Sequence, residues 1–590
     1  MPEMLKQKNA TLSLYRPAPS LLLSVCALLM LLASADLSAQ RGANDHRGRE
    51  FRLAFLHTDG DDPAPAYYIV VSSEVPGTRG SLIYEADGFV TPITLTNPNE
   101  PFRIELDTNR LILPNPLRNA VSRRSIRLVF DNEVTIYAIN TLRWSSDGML
   151  ALPIDALGLD YTVMSYPNTA EPGPSGQIFE SSDFPSQFAV IATTDNTQLT
   201  IRPTTSVNAR GNTQVYTETL DAGEVYFGQA VSGVRFGNPV KQAGADLTGT
   251  RIESSAPVVV LGSHQRANIP WNDAVGRDHL VEQMPPTDHW GTRAMVTPHA
   301  QILKTIPDQN FVRVVAAEPG TILRIDSGAG IALPPGLPFE IPLDRAKLLT
   351  ATGPIAVAQY NHSTVDVEFI SMENDTVGDP FMTLVPSREQ FDTNYTFESW
   401  DTQDFLFHFA NVVIPTEKIA TLRLDGNALG QPFVAIPKTS YSYAQIRLSN
   451  GGHNIRADVP FGLHVYGYGP YNSYGMPGGW VFDSIYDDHT EPEVFWRDTC
   501  GGVVGGVYDT TALDFGVDTL RLEPGSSNVR LRLDRYNRGD DSGSFFLEVV
   551  AVAHFLAGLI GQVDDLGRVV PVVLGGHGLG GGCEGQGPFH

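Results

Sequence analysis

Residues 244–298 read GADLTGTRIESSAPVVVLGSHQRANIPWNDAVGRDHLVEQMPPTDHWGTRAMVTP, and this stretch decides the fold. It opens with an alternating run (248–253), breaks at 254–257, and continues as a wholly apolar strand over 258–261. Short apolar runs bounded by Pro, Gly and Ser are the signature of strands rather than helices. Beyond Gly262 the alternation lapses. The pattern predicts a long loop there, carrying His264, Trp271, Asp278, His279, Glu282, His289 and Trp290.

The same grammar recurs along the chain. Opening strands are predicted at 68–71, 188–191, 311–315 and 409–414, each followed by a second strand at 80–84, 197–201, 321–325 and 421–424. Closing strands are predicted at 134–138, 258–261, 355–359 and 461–465, beside bends marked by Asn132, Pro257, Pro354 and Pro460. Proline has a fixed φ and no donor, so it suits the first residue of a strand or a sheet edge. Repeats of roughly 100 residues are sandwich-sized. The predicted fold class is therefore all-β: tandem β-sandwich-like units packed together, near 48–165, 180–305, 306–400 and 401–490, plus a small C-terminal β module over 495–574. One closed superstructure such as a propeller is the alternative. The linkers that leave the closing strands are expected to gather their tips on one side, as loops on a rigid scaffold do.

Residues 1–39 read as a secretory signal peptide: Lys6, Lys8 and Arg16, then an apolar run over 21–33 too short to span a bilayer, then small residues. Residues 575–590 form a glycine-rich tail. The product is expected to be secreted or held at the cell surface without a transmembrane span. The net charge of −25 argues against a nucleic-acid partner, because affinity for phosphates needs cations. Cys26 leaves with the signal, so Cys500 and Cys583 are predicted to pair in an oxidising compartment.

No nucleophile elbow, phosphate loop or dinucleotide fingerprint occurs in a usable context. The His, Asp and Glu residues of 264–290 fit no zinc spacing. Neither a metal nor a cofactor is predicted, and no catalytic residue is assigned. Polar residues in such a segment serve hydrogen bonding when they pack a loop onto a sheet. Tyr466, Tyr468, Tyr471 and Tyr474, with Trp271, are candidates for a contact patch, because Tyr and Trp offer large rigid contact area. An aromatic cluster in the core is the competing reading for the tyrosines.

Several motifs carry a resemblance. They are Asp246-Leu-Thr248-Gly249-Thr250, the Pro257 strand with Gly262 and His264, Asp278-His279, Glu282-Gln283, Trp290-Gly291, and Gly378-Asp379-Pro380. Together they resemble the N-terminal domain of the IgG Fc-binding protein family and its bacterial relatives, over about residues 50–475. The resemblance implies a secreted or cell-surface β protein, and in the animal member a mucus glycoprotein that holds the Fc part of IgG. It assigns no position to the Fc contact. The expected function is non-enzymatic binding or adhesion to an extracellular protein or glycoprotein. The alternative is an extracellular carbohydrate-active enzyme or peptidase using the loop carboxylates.

Overall fold

In the computed structural model each opening run is a strand lying antiparallel beside its own closing strand. Ala66–Ser72 pairs with Ile126–Leu142, Ser186–Ala192 with Val258–Ala267, Phe311–Ala316 with Ile355–Tyr360, and Phe407–Pro415 with Gly451–Gly469. The structure describes residues 45–482 except 59–65, 99, 143–144, 170–183, 209–214, 232, 236–237, 241–243, 271–275, 301–309, 364–376 and 401–404, together with strands between 493 and 573. The apolar runs pair because both their faces are covered. Every residue of Ser186–Ala192 is buried, which is why the run reads as continuous rather than alternating.

The second strand of each repeat belongs to a second sheet. Arg79–Tyr84 pairs with Phe89–Thr94, Thr197–Arg202 with Arg251–Ser254, Ile322–Ile325 with Lys347–Ala351, and Arg423–Leu424 with Asn427–Ala428. Two-sheet, sandwich-like layers result. In the second and third repeats the chain breaks at Pro257 and Pro354 when it changes sheet. In the first and fourth the closing strand runs unbroken for 17 and 19 residues and serves both sheets.

Each closing strand has one more neighbour, and here the structure corrects the sequence reading. The segments expected to be linker loops contain strands: Ser145–Leu150, Asp278–Gln283, Met382–Leu384 and Asn472–Pro477. The closing strand Val258–Ala267 likewise runs through His264. Polar residues that signal loops when they face water are here buried and hydrogen-bonded across repeats.

The layers close into a ring. Val121–Ser122 extends the sheet of the second repeat beside Val225–Gln229. Arg313 of the third repeat bonds Asp246 of the second at 2.8 Å, and the Tyr360 hydroxyl donates to the Ser165 carbonyl at 2.7 Å. Arg293–Val296 pairs with Lys347–Ala351 and so belongs to the third repeat, and Asn411 of the fourth donates to the Pro298 carbonyl just beyond it at 2.8 Å. Asp392–Ser399 pairs with Gly451–Gly469 and so joins the fourth repeat, which meets the first where the Tyr137 hydroxyl donates to the Gly478 carbonyl at 2.5 Å and Arg47 pairs with Asp392 at 2.9 Å. The sandwich-like units are thus parts of one closed superstructure.

Beyond residue 490 two further antiparallel sheets follow. One contains Glu493–Thr499, Gly502–Tyr508, Ser542–Val549 and Val529–Asn537; the other contains Leu520–Leu522, Leu559–Val563 and Val569–Val573. Cys500, Cys583, the segment 1–39 and the glycine-rich tail lie outside the described residues. Among the described residues no helix is long and apolar enough to cross a membrane.

Candidate functional site

The four extra strands meet at the centre of the ring, and buried carboxylates hold them there. Asp147 sits on the first of them, in a stretch reading Ser-Asp-Gly-Met. Its Oδ1 accepts the backbone N–H of Gly148 at 2.8 Å and of Gly475 at 3.1 Å. Its Oδ2 accepts the N–H of Val281 at 3.1 Å and of Met382 at 3.2 Å. One side chain thereby binds one backbone donor from each repeat. Asp278 performs a similar task. It accepts the N–H of Ser146, the N–H of its neighbour His279 at 2.8 Å, and the N–H of Ser473 at 3.0 Å. Glu282 accepts the N–H of Leu384 at 3.1 Å, and Gln283 accepts that of Leu152 at 3.0 Å.

Burial pushes the carboxyls of Asp147, Asp278 and Glu282 well above their ordinary range. Asp379 adds to the upward push on Asp278, and Asp147 adds to that on Glu282. Backbone N–H groups push each of them back down. At Asp147 the four donors occupy about all the lone-pair directions that two carboxylate oxygens offer. A proton on either oxygen would have to displace one of them, so the geometry is that of a carboxylate.

The histidines of the motif are spent in the same way. His279 is buried and held down to about 3 by desolvation; one ring nitrogen faces the Asn140 amide at 3.2 Å. His264 lies 3.0 Å from the Pro167 carbonyl through Nε2 and accepts the Arg266 N–H at Nδ1. Among the described residues no group of three His, Cys, Asp or Glu is arranged to hold a metal ion. A crevice between repeats, lined by Met164, Met284, Trp290, Arg293, Ser387 and Trp480 among others, has no carboxylate in its wall.

Several of the remaining motif residues also lie on seams. Asp246 accepts Arg313 and the N–H of Thr248, and the Thr248 hydroxyl donates to the Ser165 carbonyl at 2.9 Å. Gly249 has φ +87°, and a Cβ there would lie 1.6 Å from the Gly336 carbonyl oxygen. Gly262 passes close to the Met164 carbonyl, where a Cβ would stand 2.1 Å away. Trp290 is buried and donates to the Pro285 carbonyl at 3.2 Å; Gly291 packs under Ser387. Thr250 donates its N–H to Leu247, while Pro257 stays exposed at the bend. Gly378 adopts φ +101° against Tyr468, and the carbonyls of Asp379 and Pro380 both accept the Ser473 hydroxyl.

The tyrosines divide differently from a contact patch. Tyr466, Tyr468 and Tyr474 are buried; only Tyr471, 36% exposed at a turn with φ 50°, reaches solvent. Tyr466 donates to Asn411 Oδ1 at 2.7 Å and stacks on Phe381 and Phe409. Tyr474 bonds His408 through its hydroxyl at 3.0 Å. Tyr466 and Tyr468 pack on Phe381 at the seam with the third repeat, whereas Tyr474 packs on Trp400, Phe405 and His408; buried in this way, the three rings cannot meet a partner. Trp271 lies outside the described residues. Sequence reasoning missed Asp147. The signal was the match between Asp147-Gly-Met149 and Tyr474-Gly-Met476, two linkers in equivalent places.

Comparison with known proteins places the chain among its relatives. A human IgGFc-binding protein is 25% identical over 450 residues, covering 74% of this chain and 7% of that protein. The chain therefore spans a small fraction of its human relative's length. No solved structure matches it. The profile of the IgGFc binding protein family matches residues 147–467, beginning at the central aspartate and covering more than half of the chain. The chain belongs to the IgGFc binding protein family.

Proposed function

We propose that this chain is an extracellular, non-enzymatic binding protein that recognises a protein or glycoprotein partner through its outer surface. The observation that carries the reading is the state of the central carboxylates. Asp147, Asp278 and Glu282 are buried and bonded to backbone N–H groups, so the residues best suited to acid–base chemistry are engaged in closing the ring. General acids and bases need reach to a substrate proton. The name of the human relative supplies the first partner to try, and the export pattern of residues 1–39 supports an extracellular place of action. The repeats supply a rigid frame, and recognition then falls to surfaces presented outward from it.

The test is surface plasmon resonance of the purified full chain over immobilised IgG Fc fragment and over mucin. Saturable binding to either supports the reading. Turnover of a glycan or peptide substrate that is lost in a folded Glu282→Gln variant would overturn it.

A further inference from the structure

One cation on the outer face of the fourth repeat is arranged unlike its nearest counterpart. Arg447 is exposed, on the strand Tyr441–Leu448, directly opposite Phe409 in the ladder. Its guanidinium lies over the rings of Phe407 and Phe409, 4.4 and 5.1 Å from their centroids, and donates from Nη2 to the Leu406 carbonyl at 3.2 Å. Arg110 is similarly stacked, over Phe89 and Tyr84 at 4.4 and 5.4 Å, but it is bonded to both Asp87 and Asp107 at 2.8 Å. No carboxylate among the described residues pairs with Arg447. In a chain with 66 acidic and 41 basic side chains, an aromatic-stacked arginine without an acid stands out.

The surroundings of Arg447 are apolar. Leu406 is 49% exposed, and the two phenylalanine rings are half-buried. The stacking and the bond to Leu406 hold the guanidinium in one place, so an incoming anion loses less in ordering it. A guanidinium has five N–H donors in a planar fork, and the bond to Leu406 uses one of them. That fork matches a carboxylate, and arginine with aromatic neighbours is the composition of binding anchors. We infer that Arg447, Phe407, Phe409 and Leu406 form a docking site for an aspartate or glutamate side chain of a partner protein, presented beside an apolar residue. A sugar acid would set hydroxyls against Leu406 and Phe407, which offer them no hydrogen bond; an apolar side chain next to the acid fits both. This inference rests on the reading of the chain as a binding protein and names the chemistry of its partner.

A random dodecapeptide display library selected on the full chain tests it. Recovered peptides are then synthesised and titrated by fluorescence anisotropy against wild type, Arg447→Ala, Arg447→Lys and Leu406→Ala, each with an unchanged urea midpoint. The selected peptides should carry Asp or Glu beside Leu, Ile or Phe. Arg447→Ala should weaken them about tenfold or more, the scale of one lost charge-assisted anchor, and Arg447→Lys should recover only part. Salt should weaken wild type and leave Arg447→Ala little changed. Peptides without an acid, or equal binding by Arg447→Ala, would overturn the site. So would sialyllactose or heparin binding lost in the same variant while acidic peptides fail. Fc or mucin binding that Arg447→Ala leaves intact would sink this site and spare the binding function. Acidic-peptide binding without either partner would do the reverse for those two partners.

Discussion

Replacing Asp147 by asparagine tests whether one carboxylate closes the ring. The substitution keeps shape and one acceptor oxygen, and turns the other oxygen into an NH2 donor. If the amide replaces Oδ1, the N–H groups of Gly148 and Gly475 lose their acceptor; if it replaces Oδ2, those of Val281 and Met382 do. Either way two buried donors are orphaned, at about 1–3 kcal/mol each, so the gross cost is about 2–6 kcal/mol. An offset comes from the charge that is removed, because Asp147 pushes up the carboxyls of Asp278 and Glu282. The net expectation is a loss of at least about 2 kcal/mol, since the offset acts across space while the donors are lost at contact. Urea unfolding of the full chain, followed by tryptophan fluorescence, reads it as a lower midpoint. Asp160→Asn is the control. Its bond to Arg251 lies on the exposed surface, where such pairs contribute about 0–1 kcal/mol. A protonated aspartic acid would be matched well by asparagine. An Asp147→Asn midpoint equal to wild type would therefore refute the claim that a carboxylate binds the four repeats.

Other outcomes follow from the same geometry. Gly249→Ala would press a methyl against the Gly336 carbonyl at a positive φ, and the yield of folded protein should collapse. Trp290→Ala should lower stability by about 3–5 kcal/mol, as for a buried large aromatic, whereas Tyr471→Ala on its exposed turn should stay within about 0.5 kcal/mol; urea midpoints read both. His464 is held down to about 4 by burial, below its unfolded value near 6.5, so its stabilising share is complete above about pH 6.5 and is lost as pH falls toward 4. Comparing urea midpoints at neutral and mildly acid pH, His464→Gln should remove a slope of about 1.4 kcal/mol per pH unit in that window.

Much of the fold could be read because strand pairing depends on apolar periodicity, and the periodicity is local. The opening and closing runs are buried on both faces and show it directly. The extra strands could not be read in that way. Asp278 and Glu282 look like loop or site residues until their acceptors are seen to serve backbone donors from other repeats. The Tyr-Gly alternation of 466–475 misleads for a related reason. A Cβ on Gly467 would meet the Tyr474 ring at 2.3 Å, and one on Gly475 would meet the Phe381 ring at 2.1 Å. Gly467 makes room for a ring of its own repeat and Gly475 for one across the seam, so the segment is a core rather than a surface. Arg447 gave no sequence signal, because its unpaired state depends on which acids do not reach it.

Placing polar motif residues in the centre has a consequence for function. A one-residue slip turns every side chain to the other face, but where a strand is apolar and buried on both faces, as Val258–Leu261 is, that exchanges one apolar face for another and burial alone fixes register weakly. Backbone donors aimed at Asp147 are not indifferent: each must arrive within hydrogen-bond reach of one of two oxygens. A repeat that slipped would leave a buried N–H unpaired, which costs more than an ordinary contact is worth. The carboxylates therefore act on specificity of assembly more than on gross stability, the role best argued for buried polar groups that fix register. Four repeats with unlike outer surfaces can then diverge without losing their common frame. The proposed recognition can lie on any one of them, and the central carboxylates say nothing about which. Asp246, Asp278 and Glu282 thus bond backbone or side chains of other repeats, while the arginine inferred to meet a partner sits on the outer surface.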